Sequence, residues 1–166
     1  MDPRPLSFGT YLAHQRPHIH AVLHLASIPQ LMLVSDRLAR SGLPHEPACV
    51  FCCQESETLH HILVGCVLAR ITWHEILSWC SPTTTPPDGS TGYFAWLSEA
   101  TLLLPAARSR GLASIAPLPA WSLWRHRNAI IFDKITPSSS PLIAAIKDEA
   151  RSWAAAGLEV SLRVLL

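Results

Sequence analysis

Up to about residue 20 the apolar positions follow no helical period, and Pro3, Pro5 and Pro17 interrupt them. A loose arm is expected over residues 1–30, with His14, His18, His20 and His24 at spacings that suggest no ordered site. Ser35 can cap a short helix, Asp36 complements its positive end, and Gly42 with Pro44 ends it. Thr58 can cap a second helix starting at Leu59. From Val67 to Trp79, apolar Val67, Leu68, Ile71, Ile76, Leu77 and Trp79 share one broad helical face. Ser81 to Gly92 is rich in proline, threonine and glycine and reads as a linker. Beyond it the pattern is helical again. Tyr93–Leu104 stops before Pro105, Trp121–Phe132 has its start set by Pro117 and Pro119, and an amphipathic helix runs from Leu142 to about Ala156. Convincing strand alternation is absent, so a mainly α chain is expected, divided at 31–80, 81–92 and 93–166.

Composition narrows the class. The 166 residues are 49% apolar and 15% charged, which suits one domain, or one with an appendage, and argues against wholesale disorder. Thirteen basic against twelve acidic residues give a net charge of +1, without the basic footprint of a dedicated nucleic-acid binder. The most apolar early stretch, Ala21–Val34, is broken by His24, Pro29 and Gln30, and is shorter than the about 20 residues that a membrane span needs. The N-terminus lacks the basic region and apolar core of a secretion signal. An intracellular protein of nucleus or cytoplasm is expected, with reduced cysteines and no membrane partner.

Chemistry concentrates in one string: Cys49-Val50-Phe51-Cys52, then His61, then Cys66. Three thiolates and an imidazole form a structural zinc set, closed to water. His61 and Cys66, five residues apart, lie about 140° apart around a straight α-helix. They share a metal only if the helix breaks, and Gly65 can supply a left-handed turn there. Such a site would make residues 31–80 a small zinc-stabilised helical domain, followed by a helical C-terminal region. Alternatives stay open: buried inert thiols, a redox pair, or Cys53 and His60 exchanging with Cys52 and His61 as ligands. Cys80, at the end of the apolar face, reads as a core thiol.

The run Ser35-Asp36-Arg37-Leu38-Ala39-Arg40-Ser41-Gly42-Leu43-Pro44-His45, the cysteine cluster, and Glu57-Thr58-Leu59-His60-His61-Ile62-Leu63-Val64-Gly65-Cys66 through Trp73 resemble a known domain. It is the zinc-binding domain found downstream of reverse transcriptase in plant LINE-type (non-LTR) retrotransposons. Carried over by position, the resemblance implies Cys49, Cys52, His61 and Cys66 as Zn2+ ligands, with His60 a non-ligand. Trp121-Ser122-Leu123-Trp124-Arg125-His126-Arg127-Asn128 also resembles the Trp-x-x-Trp-x-x-Arg-Asn helix that follows this domain in such polyproteins. One departure is that residues 21–34 are aliphatic where the family carries an aromatic, basic helix.

Nothing in the chain resembles polymerase, endonuclease or RNase H segments, so a detached element fragment without catalytic machinery is expected. His74-Glu75 lacks the second histidine of a metalloprotease motif and reads as the polar edge of a helix. The expected function is a non-catalytic zinc module that contacts RNA or DNA through Arg37, Arg40, Arg125 or Arg127. Phe51 either stacks on a base or packs on the helix. The competing expectation is a scaffold that docks a protein partner or a second copy through apolar surface.

Overall fold

The computed structural model describes residues 47–155. The expected arm over 1–30, the Ser35 helix, Arg37 and Arg40 lie outside the described residues. The chain opens with a knuckle closed by an antiparallel bridge between Ala48 and Ser56, beside which Cys49 N–H donates to the Glu55 carbonyl at 2.7 Å. Thr58 then caps a helical turn, its Oγ1 accepting the His61 N–H at 3.0 Å. That turn widens into a π-helical segment, His61–Gly65, closed by the Cys66 N–H on the His61 carbonyl at 2.7 Å. Five helices follow: α1 (Val67–Cys80), α2 (Tyr93–Leu102), α3 (Ala106–Ile115), α4 (Pro117–Asp133) and α5 (Ser139–Ala155). The mainly α expectation holds. Among the described residues the Ala48–Ser56 bridge is isolated, outside any strand.

Helix boundaries follow local chemistry. Pro117 opens α4 at a position where no N–H is needed, and Lys134 closes it in a left-handed conformation, φ 56°. Helix α5 begins at Ser139, three residues before the expected Leu142, because Pro141 falls within its first turn, where a missing N–H costs nothing. Helix α3 had no separate expectation. Its buried residues are Gly111, Leu112 and Ile115, spaced on one face of an otherwise polar stretch.

One core joins the two halves of the sequence. Trp73 is fully buried, donates its indole N–H to the Leu63 carbonyl at 2.7 Å, and packs against Trp96 and Tyr93 at ring distances of 5.0 and 5.7 Å. Around it Ile62, Ile76 and Leu77 meet Leu112, Ile115, Leu118, Leu123 and Ile146. Helix α1 packs on α4 and α5, and the π segment packs on α4. On the outer side of α1, Lys147 and Arg151 of α5 lie over the Trp79 ring, at 5.8 and 5.4 Å.

The segment expected as a linker, Ser81–Gly92, is a strap folded back over the π segment. Ser81 and Thr84 are buried and share a 2.7 Å hydroxyl bond, and the Thr85 carbonyl accepts the Trp96 indole at 2.9 Å. Gly89, at φ +88°, brings its carbonyl to His60 Nε2 at 2.8 Å, so that nitrogen carries the ring proton. A Cβ on Gly89 would sit 3.3 Å from Gly65 Cα, so both glycines serve a close backbone approach.

The longest-range polar tie is a buried ion pair. Arg127 Nε and Nη2 both donate to Glu57 Oε1, at 3.1 and 2.5 Å, across 70 residues of sequence. Arg127 Nη1 also reaches Asn128 Oδ1 at 3.1 Å. The two charged side chains are 4% and 0% exposed. Removing one partner strands the other in a low-dielectric core. We expect Arg127→Ala to lower stability by about 3–5 kcal/mol in urea unfolding of the metal-saturated chain. Arg127→Lys should recover only part of it, because an ammonium cannot repeat the two-nitrogen grip.

Candidate metal centre

Two elements supply the donor atoms. The knuckle presents Cys49 and Cys52 from a turn in which Cys53 N–H donates to the Cys49 carbonyl at 2.8 Å. Cys53 ends that turn at φ 56°, a conformation that favours glycine, and its own side chain is exposed. His61 opens the π segment and Cys66 leaves it. Cys66 is in extended backbone, ψ 143°, as the N-cap of α1.

The helix breaks between the two ligands as their spacing requires, by a route different from the expected left-handed Gly65. The i→i+5 closure gives a wider turn, which advances fewer degrees per residue and swings Cys66 back toward the side of His61. Gly65 contributes by lacking a side chain: a Cβ there would stand 3.4 Å from His61 Nδ1.

The structure brings Cys49, Cys52, His61 and Cys66 together, with all four donor atoms within 4.8 Å of one another. Cys49 Sγ lies 3.9 Å from Cys66 Sγ, and Cys52 Sγ lies 3.4 Å from His61 Nε2. Tetrahedral zinc, with bonds of about 2.3 Å to sulfur and 2.0–2.1 Å to nitrogen, calls for ~3.8 Å and ~3.6 Å between such donors. The donor set and its dimensions therefore fit a tetrahedral cation. Of the two alternative ligands, His60 is held by Gly89, and Cys53 falls outside the cluster.

Electrostatics within the cluster favour a cation. The Cys49 thiol is pushed far above its ordinary range, first by its hydrogen bond to Cys66 and then by burial. Cys66 is drawn down chiefly by accepting that bond. The two buried sulfurs thus face each other at 3.9 Å, a spacing that a divalent ion between them would occupy. The Phe51 N–H points at Cys49 Sγ from 3.4 Å, and the N-terminal end of α1 faces Cys66; both favour thiolate. Outside the cluster, burial pushes the Cys80 thiol up to about 11, which keeps it a protonated core group.

The remaining candidates are placed differently. Arg125 is half-buried beside a groove lined by Ser122, His126 and Asp133. Arg127 does not face solvent as a phosphate contact requires: its guanidinium is committed to Glu57. Phe51 is half-buried and stacks on the His126 ring of α4, 5.8 Å between centroids and 28° between planes. Burial holds His126 below its ordinary range, and its Nε2 accepts the Ser138 N–H at 3.2 Å. His74 and Glu75 are exposed on α1, as a polar edge requires. Two further residues had no forecast role. Glu55 Oε2 lies 3.3 Å from His61 Nδ1, and Glu57 anchors Arg127. Glu57 sits one residue before the Thr58 cap, but nothing local couples it to an arginine so far along the chain.

Comparison with known proteins places this geometry. Residues 11–73 match the family model described as zinc-binding in reverse transcriptase. That span carries all four clustered residues and ends inside α1, at Trp73. Searches of curated proteins and of solved structures each found no match.

The expected solution behaviour is one zinc per chain by elemental analysis. Cys52→Ser and His61→Ala should each lose the metal and lower helix content, as chelation of the wild type should. Acidification should release the metal as the ligands take up protons. A well-folded, zinc-free wild type would overturn the metal assignment.

Proposed function

We propose that the chain is a non-catalytic zinc-binding module derived from a reverse transcriptase polyprotein of a plant LINE-type retrotransposon. The observation that carries this reading is the convergence of Cys49, Cys52, His61 and Cys66 inside the span that matches the reverse transcriptase zinc-binding family. A cation held by all four has a filled tetrahedral shell and no position for an activated water, so its role is to build the fold. The activity of the module is then recognition. Its ancestral task, implied by the family, is contact with template RNA or DNA during reverse transcription.

In this reading phosphate contact falls to Arg37, Arg40 and Arg125, with Arg127 reassigned to the core. Acidic and basic side chains balance over the described residues, so binding is expected to be modest. A protein-docking reading is favoured by a different observation: Leu102 and Leu103, at the end of α2, are 82% and 79% exposed beside a groove that Trp96 and Leu104 line. Among the described residues no helix is long and apolar enough to cross a membrane.

Fluorescence anisotropy of the zinc-loaded chain with single-stranded RNA at several salt concentrations tests the choice. Affinity should fall with salt, and Arg37→Ala or Arg125→Ala should each reduce the slope of log K against log salt by about one. Salt-independent or absent binding, with concentration-dependent self-association in ultracentrifugation, would sink nucleic-acid contact and leave the docking reading.

A further inference from the structure

His61 meets the cluster through Nε2, which lies 3.4 Å from Cys52 Sγ. To give a lone pair to a cation from that atom, the neutral ring must carry its proton on Nδ1. The ring is buried, 5% exposed, so an Nδ1–H needs a partner close by. The carboxylate nearest it is Glu55, with Oε2 at 3.3 Å.

Glu55 is not an incidental neighbour. Its carbonyl accepts the N–H of Cys49, and the next residue, Ser56, pairs with Ala48, so its backbone is locked to the knuckle that carries two of the ligands. The side chain reaches out of that knuckle to the π segment that carries the third and leads to the fourth. Gly65 leaves room beside Nδ1, where a Cβ would stand 3.4 Å away.

We propose that Glu55 is the positioning residue of the metal centre. Its carboxylate takes the Nδ1 proton of His61 as a hydrogen bond, fixes the tautomer that presents Nε2 to the cation, and ties the two ligand-bearing elements together from outside. The proposal rests on the metal reading above and adds a residue that is not a ligand. Such outer partners orient the imidazole and raise its basicity, and their removal commonly costs 10–100-fold in metal affinity. Glu55 is 72% exposed, which puts the expected loss at the lower end.

The test compares the full chain with Glu55→Ala, Glu55→Gln and, as a control of equal charge change, Glu75→Ala on the exposed face of α1. Zinc affinity is read by competition with a chromophoric chelator at fixed pH, and the His61 ring by ¹⁵N-edited NMR of the zinc-loaded protein. We expect Glu55→Ala to weaken binding about tenfold and to speed exchange of the Nδ1 proton with water. Glu55→Gln, which keeps a neutral acceptor, should recover most of the affinity, and Glu75→Ala should match the wild type. One tightly bound zinc in both the wild type and Glu55→Ala, with the same Nδ1–H exchange, would overturn the role of Glu55 and leave the metal centre standing. A wild type that binds no zinc would overturn the centre itself.

Discussion

Three sulfurs and a nitrogen gathered within 4.8 Å form a group that a folded chain has little reason to assemble without a cation between them. Left as thiols, the fully buried Cys49 and Cys66 have only a weak S–H···S contact at 3.9 Å between them. Left as thiolates, they repel. A divalent ion resolves both problems, and its binding free energy in small zinc domains, about 10–16 kcal/mol at neutral pH, is comparable to the whole net stability of a domain. The four donors come from two elements, the knuckle and the π segment, so a metal held by them would clamp the point at which α1 starts. From that start follow the Trp73 bond to Leu63, the ring cluster with Tyr93 and Trp96, and the seat against which α4 and α5 pack.

The family match ends at Trp73, but the physical unit does not. Glu57, four residues before His61, is paired inside the core with Arg127 of α4. A buried pair of this kind adds little net stability but penalises every arrangement that separates its members. It works here as a register device that specifies how α4 meets the knuckle. The strap makes a second tie, through the Gly89 carbonyl on His60 and the Thr85 carbonyl on Trp96. The knuckle with its π segment and the C-terminal helices are therefore held by polar contacts as well as by shared apolar core.

What the sequence made legible is what local spacing encodes. The four clustered residues lie within one short stretch and can be read directly; the α1 face is legible only in part, because Val67 and Ile71, expected on it, are exposed while Ala69, Thr72 and Trp73 are buried. The strap was misread because Pro, Thr and Gly report the backbone's turns and not whether those turns are packed. Gly65 suggested a left-handed break, whereas its value is the absence of a Cβ beside His61 Nδ1 and beneath Gly89. Arg127 looked like a solvated cation because its partner lies 70 residues away, and no periodicity spans that distance. Helix α3 was hard to see because its few buried positions are scattered among arginines and serines.

The same economy bears on recognition. Several aromatic and basic groups of the described residues are engaged with one another: Phe51 with His126, Arg127 with Glu57, Lys147 and Arg151 with Trp79. The large apolar side chains left outside include Val67 and Ile71 on α1, Phe94 and Leu102 on α2, Leu103 just after it, and Phe132 on α4. Stacking on bases needs flat aromatic faces, and attraction to phosphate needs uncommitted cations. In the reading proposed above, phosphate contact would draw on Arg70 and Arg110, which are exposed among the described residues, as well as on Arg37 and Arg40 of the span that matches the family model.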